Sequence, residues 1–194
     1  MNQVNGEQCT IEAYDHNGLD SDTEAVRQWV SAFRPGADVL EIGFARCAIP
    51  QLLIDAGLRL HLVESSIPRL SRFQQLFPEV PSECLQGNRC GLFSRSFDGV
   101  IACGLTSSMP EPAQIALLAR IERVLRTGGR LLVIFPPPAT TPAGSKKEPW
   151  APLESGAYET ILWNLGLEVQ PVLADKRGNQ YVCAVKHVRA GVPD

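Results

Sequence analysis

The chain has 194 residues, enough to bury the core of one domain and too few for two full enzymatic ones. Hydrophobic residues make up 44% and charged ones 20%, ordinary globular usage that excludes a disordered or fibrous protein. With 18 Lys and Arg against 21 Asp and Glu, the net charge is −3, so no basic field covers the surface and nucleic acid is not an expected partner.

Apolar runs such as Leu131–Phe135 fall far short of the roughly 20 residues that span a bilayer. The opening MNQVNGEQ is too polar for a signal peptide, so a cytoplasmic protein with no membrane partner is expected. Cys9, Cys47, Cys84, Cys90, Cys103 and Cys183 form no CxxC pair and have no histidine at finger spacing. They read as reduced thiols, without a zinc site or disulfide scaffold.

Residues 1–20 read as a polar lead-in. Ser21 to Glu24 has capping-box spacing and opens an amphipathic helix with Val26, Trp29, Val30 and Phe33 on one face. Pro35 and Gly36 stop it, and Asp38–Ile42 reads as a short buried strand ending at Gly43. Pro50 marks a second helix, Gly57 its end, and Arg59–Val63 a second strand. A third helix near Pro68 carries Leu70, Phe73, Leu76 and Phe77, and a short strand is expected around Cys84–Gln86. Ser96–Ala102 makes a fourth strand. The spacing of Ile115, Leu118, Ile121, Val124 and Leu125 predicts a helix between Pro112 and Arg126, ended by Thr127–Gly129 before strand Arg130–Phe135.

Five strands alternating with helices imply a parallel sheet covered on both faces. Residues 136–152 hold six prolines and read as a long loop. Tyr158, Ile161, Leu162 and Leu165 predict a last helix closed by Gly166. Leu167–Leu173 and Gln180–Val185 then flank a turn at Asp175–Asn179, so the final strand should run antiparallel. The whole is read as a single α/β domain.

In such a sheet, ligands bind beyond the carboxyl ends of the strands, where strand order reverses. The first loop there is Glu41–Cys47, with Gly43 allowing close backbone approach and the next helix start favouring an anionic group. Glu64 ends the second strand about 20 residues beyond Gly43, where a carboxylate can accept both hydroxyls of a ribose. A dinucleotide fingerprint would need glycines at 45 and 48, and the chain has Ala45 and Ala48.

Taken in order, VLEIGFARC, HLVESS, the QGN before SFDGVIACG, RTGGRLLVIF and the closing hairpin resemble class I S-adenosylmethionine-dependent methyltransferases, from about Thr23 to His187. The resemblance implies a Rossmann-like, doubly wound, seven-stranded, mostly parallel sheet with an antiparallel last strand, and S-adenosylmethionine as cofactor. Glu41 and Gly43, with Phe44 and Ala45 in the same loop, match the acidic glycine-rich motif that lies against the cofactor's methionine part. Glu64 matches the ribose-binding acid, with Ser65 and Ser66 beside the adenine. Asn88, after Gly87, falls where an Asp commonly contacts the adenine amino group. Cys103 and Gly104 would face the sulfonium and the substrate. The chain departs from Gly-x-Gly-x-Gly at Ala45 and Cys47, and from the usual Asp at Asn88.

The activity implied is methyl transfer to a small-molecule acceptor. The alternative is a methyltransferase-like protein without that activity, serving as a binding or assembly partner; cyclisation or decarboxylation with the same cofactor is a third reading. Self-association into a homo-oligomer stays open. No Asn-Pro-Pro-aromatic motif follows the fourth strand, which argues against a nucleic-acid amino-methyltransferase. As general bases, Tyr14 and His16 in the lead-in are the candidates, although a solvated terminus explains them as well. His61 and His187 read as structural or exposed. Trp150, Tyr158 and Trp163 line a substrate pocket or pack the core, and Lys146–Lys147 is a solvated pair or part of a lid. Cys84 and Cys90 lack the third thiol that arsenite binding would require.

Overall fold

Residues 19–44, 48–85, 90–103, 109–135, 155–174 and 178–187 are described in a computed structural model of the chain. The first 18 residues and the proline-rich segment 136–152 lie outside them. The helices are α1 (Leu19–Val30), α2 (Ala48–Asp55), α3 (Ile67–Leu76), α4 (Glu111–Val124) and α5 (Ser155–Asn164). The strands are β1 (Asp38–Ile42), β2 (Arg59–Glu64), β3 (Ser82–Cys84), β4 (Phe97–Cys103), β5 (Leu125–Phe135), β6 (Leu167–Val169), β7 (Leu173–Ala174) and β8 (Gln180–Lys186).

The sheet runs β3-β2-β1-β4-β5-β8-β6, and β7 also pairs with β8. Pairs from β3 through β5 are parallel, whereas β8 lies antiparallel to both β5 and β6. Order reverses between β1 and β4, so the β1 loop sits at the switch point.

Alternation along the central strands divides the core into two layers. Val39, Leu62, Ile101 and Leu132 face α1, α2 and α3 through Val26, Trp29, Leu53, Leu70 and Phe73. Leu40, Val63, Val100 and Leu131 face α4 and α5 through Leu118, Ile121, Tyr158 and Leu162. β1 is buried along its whole length, as its unbroken DVLEI run implies. Each fully buried leucine or isoleucine here contributes about 1.5–3 kcal/mol, so the doubly covered strands anchor the fold.

Four local expectations shift. α1 begins at Leu19, two residues ahead of Ser21, which takes Leu19 and Asp20 out of the polar lead-in. β3 is Ser82–Cys84, earlier than expected. The single strand read across Leu167–Leu173 is two, because Pro171 has no N–H to donate; β6 pairs with the end of β8 and β7 with its start, giving an eight-stranded sheet. Thr127–Gly129 does not separate α4 from β5. The helix stops at Val124 and the strand starts at once, with Phe97 opposite Leu125 and a register shift before Gly99. Gly128 takes φ +77° inside that irregularity, and a Cβ on Gly129 would stand 2.7 Å from the Arg126 carbonyl oxygen.

Candidate active site

Glu41 lies one residue from the carboxyl end of β1, opposite Leu62 of β2 and Ile101 of β4. With covered strands on both sides, its carboxyl is fully buried, and neither oxygen has a hydrogen-bond partner among the described residues. Burial, reinforced by the charge of Glu64, pushes its pKa well above the ordinary glutamate value and favours the neutral acid.

Beyond Ile42 the chain bends at Gly43, which takes φ +87° and donates its N–H to the Val63 carbonyl at 2.8 Å. Such a φ strains any side chain with a Cβ, so a glycine stands where β1 turns towards β2. Glu64, 1% exposed, secures the turn. Its Oε2 accepts the Phe44 N–H at 2.8 Å, and its Oε1 accepts the Ser66 N–H at 2.7 Å and the Ser65 hydroxyl at 3.2 Å. One carboxylate thereby ties the bend after β1 to the bend after β2. Phe44 packs edge-on against Phe73 of α3, with ring centroids 5.2 Å apart.

Glu41, Gly43, Phe44, Glu64, Ser65 and Cys103 therefore share the carboxyl edge of β1, β2 and β4; Cys103 is buried opposite Ile134. Ala45, Cys47, Gly87, Asn88 and Gly104 lie outside the described residues, as do Tyr14, His16, Lys146, Lys147 and Trp150. His61 belongs to the opposite half of β2. Its Nε2 is 3.7 Å from Asp38 and its Nδ1 3.4 Å from Arg95, and burial followed by the Arg95 charge lowers its pKa. His187 Nε2 meets the Glu168 carboxylate in an exposed contact. Tyr158 is a core residue, set against Phe135 and donating its hydroxyl to Gln114, whereas Trp163 is exposed.

One polar device escaped the sequence. Glu83 on β3 accepts the Gly91 N–H at 2.6 Å and contacts the Cys90 thiol at 3.4 Å, capping a short 3-10 helix, Gly91–Ser94. No local signal announces it, because the acid and the N–H belong to different elements. Among the described residues no group of three or more His, Cys, Asp or Glu is placed to hold a metal ion. Two cavities of about 210 and 320 Å³ open at the amino edge of the sheet. In their walls Asp98 and Asp38 are already held by Arg126 and Arg59.

A mostly parallel sheet with this strand order, a glycine bend after β1 and an acid closing β2 make a Rossmann-like architecture. Residues 40–133 match the model of a family described as a methyltransferase domain. The match covers 94 of the 194 residues, so the chain is similar to methyltransferases, the class whose cofactor is S-adenosylmethionine.

No curated protein matches it by sequence. Solved structures do match. A TehB-like S-adenosylmethionine-dependent methyltransferase from Corynebacterium glutamicum is 19% identical over 83% of this chain and 86% of its own, with a TM-score of 0.62. Magnesium protoporphyrin IX methyltransferase from Synechocystis with bound S-adenosylhomocysteine is 15% identical over 85% and 83%, at 0.65. A glycopeptide N-methyltransferase in complex with sinefungin is 16% identical over 90% of both chains, at 0.64. At these identities the likeness is one of fold.

The residues present fit the cofactor. Its amino-acid tail carries an ammonium group, and Glu41 offers two buried acceptor atoms without partners; its ribose carries two hydroxyls, and Glu64 offers a carboxylate at the end of the next strand.

Proposed function

We infer that this chain, as one domain, transfers the methyl group of S-adenosylmethionine to a small-molecule acceptor. The observation that carries the reading is the unpartnered Glu41 carboxyl beside Glu64 at the switch point of the sheet. Glu41 and the Gly43–Ala45 bend hold the amino-acid tail, and Glu64 takes the ribose. Ser65 flanks the adenine with Gly87 and Asn88, and Cys103 and Gly104 face the reacting end.

Bound cofactor supplies an already activated methyl group, so the protein's task is to align an acceptor in line with it and exclude water. Orientation of that kind is worth on the order of 7–11 kcal/mol. An alcohol or phenol acceptor gains a further ~10²–10⁴ in rate from a base, for which Tyr14 and His16 are the candidates.

A small acceptor is supported by the net charge of −3, which disfavours nucleic acid. The porphyrin and glycopeptide methyltransferases among its structural neighbours carry small-molecule and peptide acceptors in their names. No helix of the described residues is long and apolar enough to cross a membrane.

Isothermal titration with S-adenosylmethionine and S-adenosylhomocysteine tests the reading: binding of both supports it, and no heat with either at millimolar ligand defeats it. The second reading, an assembly partner without methylation, draws on Ala45, Cys47 and Asn88 and on the three donors that already occupy Glu64. It predicts a chain that emerges from gel filtration empty and stably oligomeric.

A further inference from the structure

Two carboxyl groups share the carboxyl edge of adjacent strands, and their surroundings differ. Glu64 receives three hydrogen bonds, two from backbone N–H groups. Glu41 receives none, is wholly buried, and has Glu64 as the charged group acting on it among the described residues. A second negative charge so near the first, without solvent or donors, is costly. Burial without donors, with the Glu64 charge beside it, holds Glu41 as the neutral acid.

We propose that Glu41 keeps its proton while the site is free and releases it to the solvent when the ammonium of the cofactor's amino-acid tail docks beside it. Cofactor binding is then coupled to the loss of one proton. The inference rests on the cofactor assignment above and goes beyond it. An arriving ammonium brings N–H donors and a positive charge into a dry site, which reverses both conditions that hold Glu41 neutral. The step balances: the Glu41 carboxyl becomes a carboxylate, its proton goes to the buffer, and the ammonium stays charged. Glu41 thereby selects for the tail. A nucleoside without an amino group leaves it protonated, so affinity for the full cofactor should rise with pH while affinity for the truncated one does not.

The test is titration calorimetry with S-adenosylhomocysteine at one pH in buffers of different ionisation enthalpy, whose slope counts protons exchanged. The expected result is release of about one proton per ligand bound. Kd should also tighten by up to about tenfold per pH unit while the free site stays protonated. Two controls localise the proton. 5′-Methylthioadenosine, which has the nucleoside but no amino-acid tail, should bind without release, and Glu41→Gln should bind S-adenosylhomocysteine more weakly and without release.

Binding with heats identical across buffers overturns the proposal and leaves the cofactor assignment standing, as does equal release with 5′-methylthioadenosine. No binding of either ligand removes both. Should Glu41→Gln fail to fold, the comparison of the two ligands on the unaltered protein decides the question without it.

Discussion

β1 carries an acid at its amino end and another near its carboxyl end. Asp38 accepts a two-pronged hydrogen bond from Arg59, at 2.9 and 2.8 Å, and a third bond from Arg126 at 3.2 Å. Arg126 also reaches Asp98 at 2.6 Å, and Asp98 accepts the Asp38 N–H at 2.8 Å. The Arg59 fork, opposed by burial and helped by Arg126, holds the Asp38 carboxyl well below the usual carboxylate range. Three residues along the same strand, Glu41 has no partner among the described residues and is pushed the other way. The amino edge spends its charges on itself, whereas the carboxyl edge leaves acceptors unspent. A fold of marginal stability tolerates such a buried orphan only locally, and this one stands at the switch point of the sheet.

The contrast breaks most sharply at Glu64. Replacing it with Ala should weaken S-adenosylhomocysteine binding by about 100-fold, since a hydrogen bond to a buried charged group is worth roughly 1.5–3 kcal/mol and the bend that Phe44 follows loses its tie as well. Calorimetry reads the loss, and an unchanged Kd would remove Glu64 from the site.

At the other edge, Asp38→Asn should cost roughly 1.5–3 kcal/mol in urea unfolding at pH 7 and leave cofactor affinity within about twofold. Because the folded pKa of Asp38 is depressed, its contribution is complete above the ordinary aspartate value of 3.8 and is lost as pH falls below it, so the variant should show a shallower acid limb.

Glu41 has the opposite sign. Above the ordinary glutamate value of 4.5 the unfolded chain has lost this proton while the folded one keeps it, so this group makes stability fall with rising pH until the raised folded pKa is passed. The slope should reach about 1.4 kcal/mol per pH unit and vanish in Glu41→Gln. The smallest effect belongs to the exposed pair of His187 and Glu168. His187→Ala should shift stability by no more than about 0.5 kcal/mol, and added salt should erase even that.

Much of the scaffold was legible because its signals are local. DVLEI, RLHLV and LLVIF are short apolar runs between turn residues, and their alternation with amphipathic helices leaves few topologies open. Gly57 and Gly166 close their helices at positive φ, as their places after α2 and α5 imply, whereas α1 stops at Val30, six residues ahead of Gly36. Thr127–Gly129 misled for a reason of the same kind. A Gly-Gly pair after a helix reads as a stop, yet here pairing with β4 draws the strand back to Leu125, and Gly129 fits where a Cβ would strike a carbonyl.

The sequence by itself determined the order of strands and helices, the glycine at the first bend and the acid about 20 residues beyond it, because these depend on spacing and on the conformations neighbouring residues permit. Only the tertiary structure decided that Glu41 stands without a donor while Asp38 has several. A side chain's ionisation depends on what distant segments bring within a few ångströms of it. Here β2 and β4 enclose one acid in apolar surface, and arginines 21 and 88 positions away in sequence converge on the other.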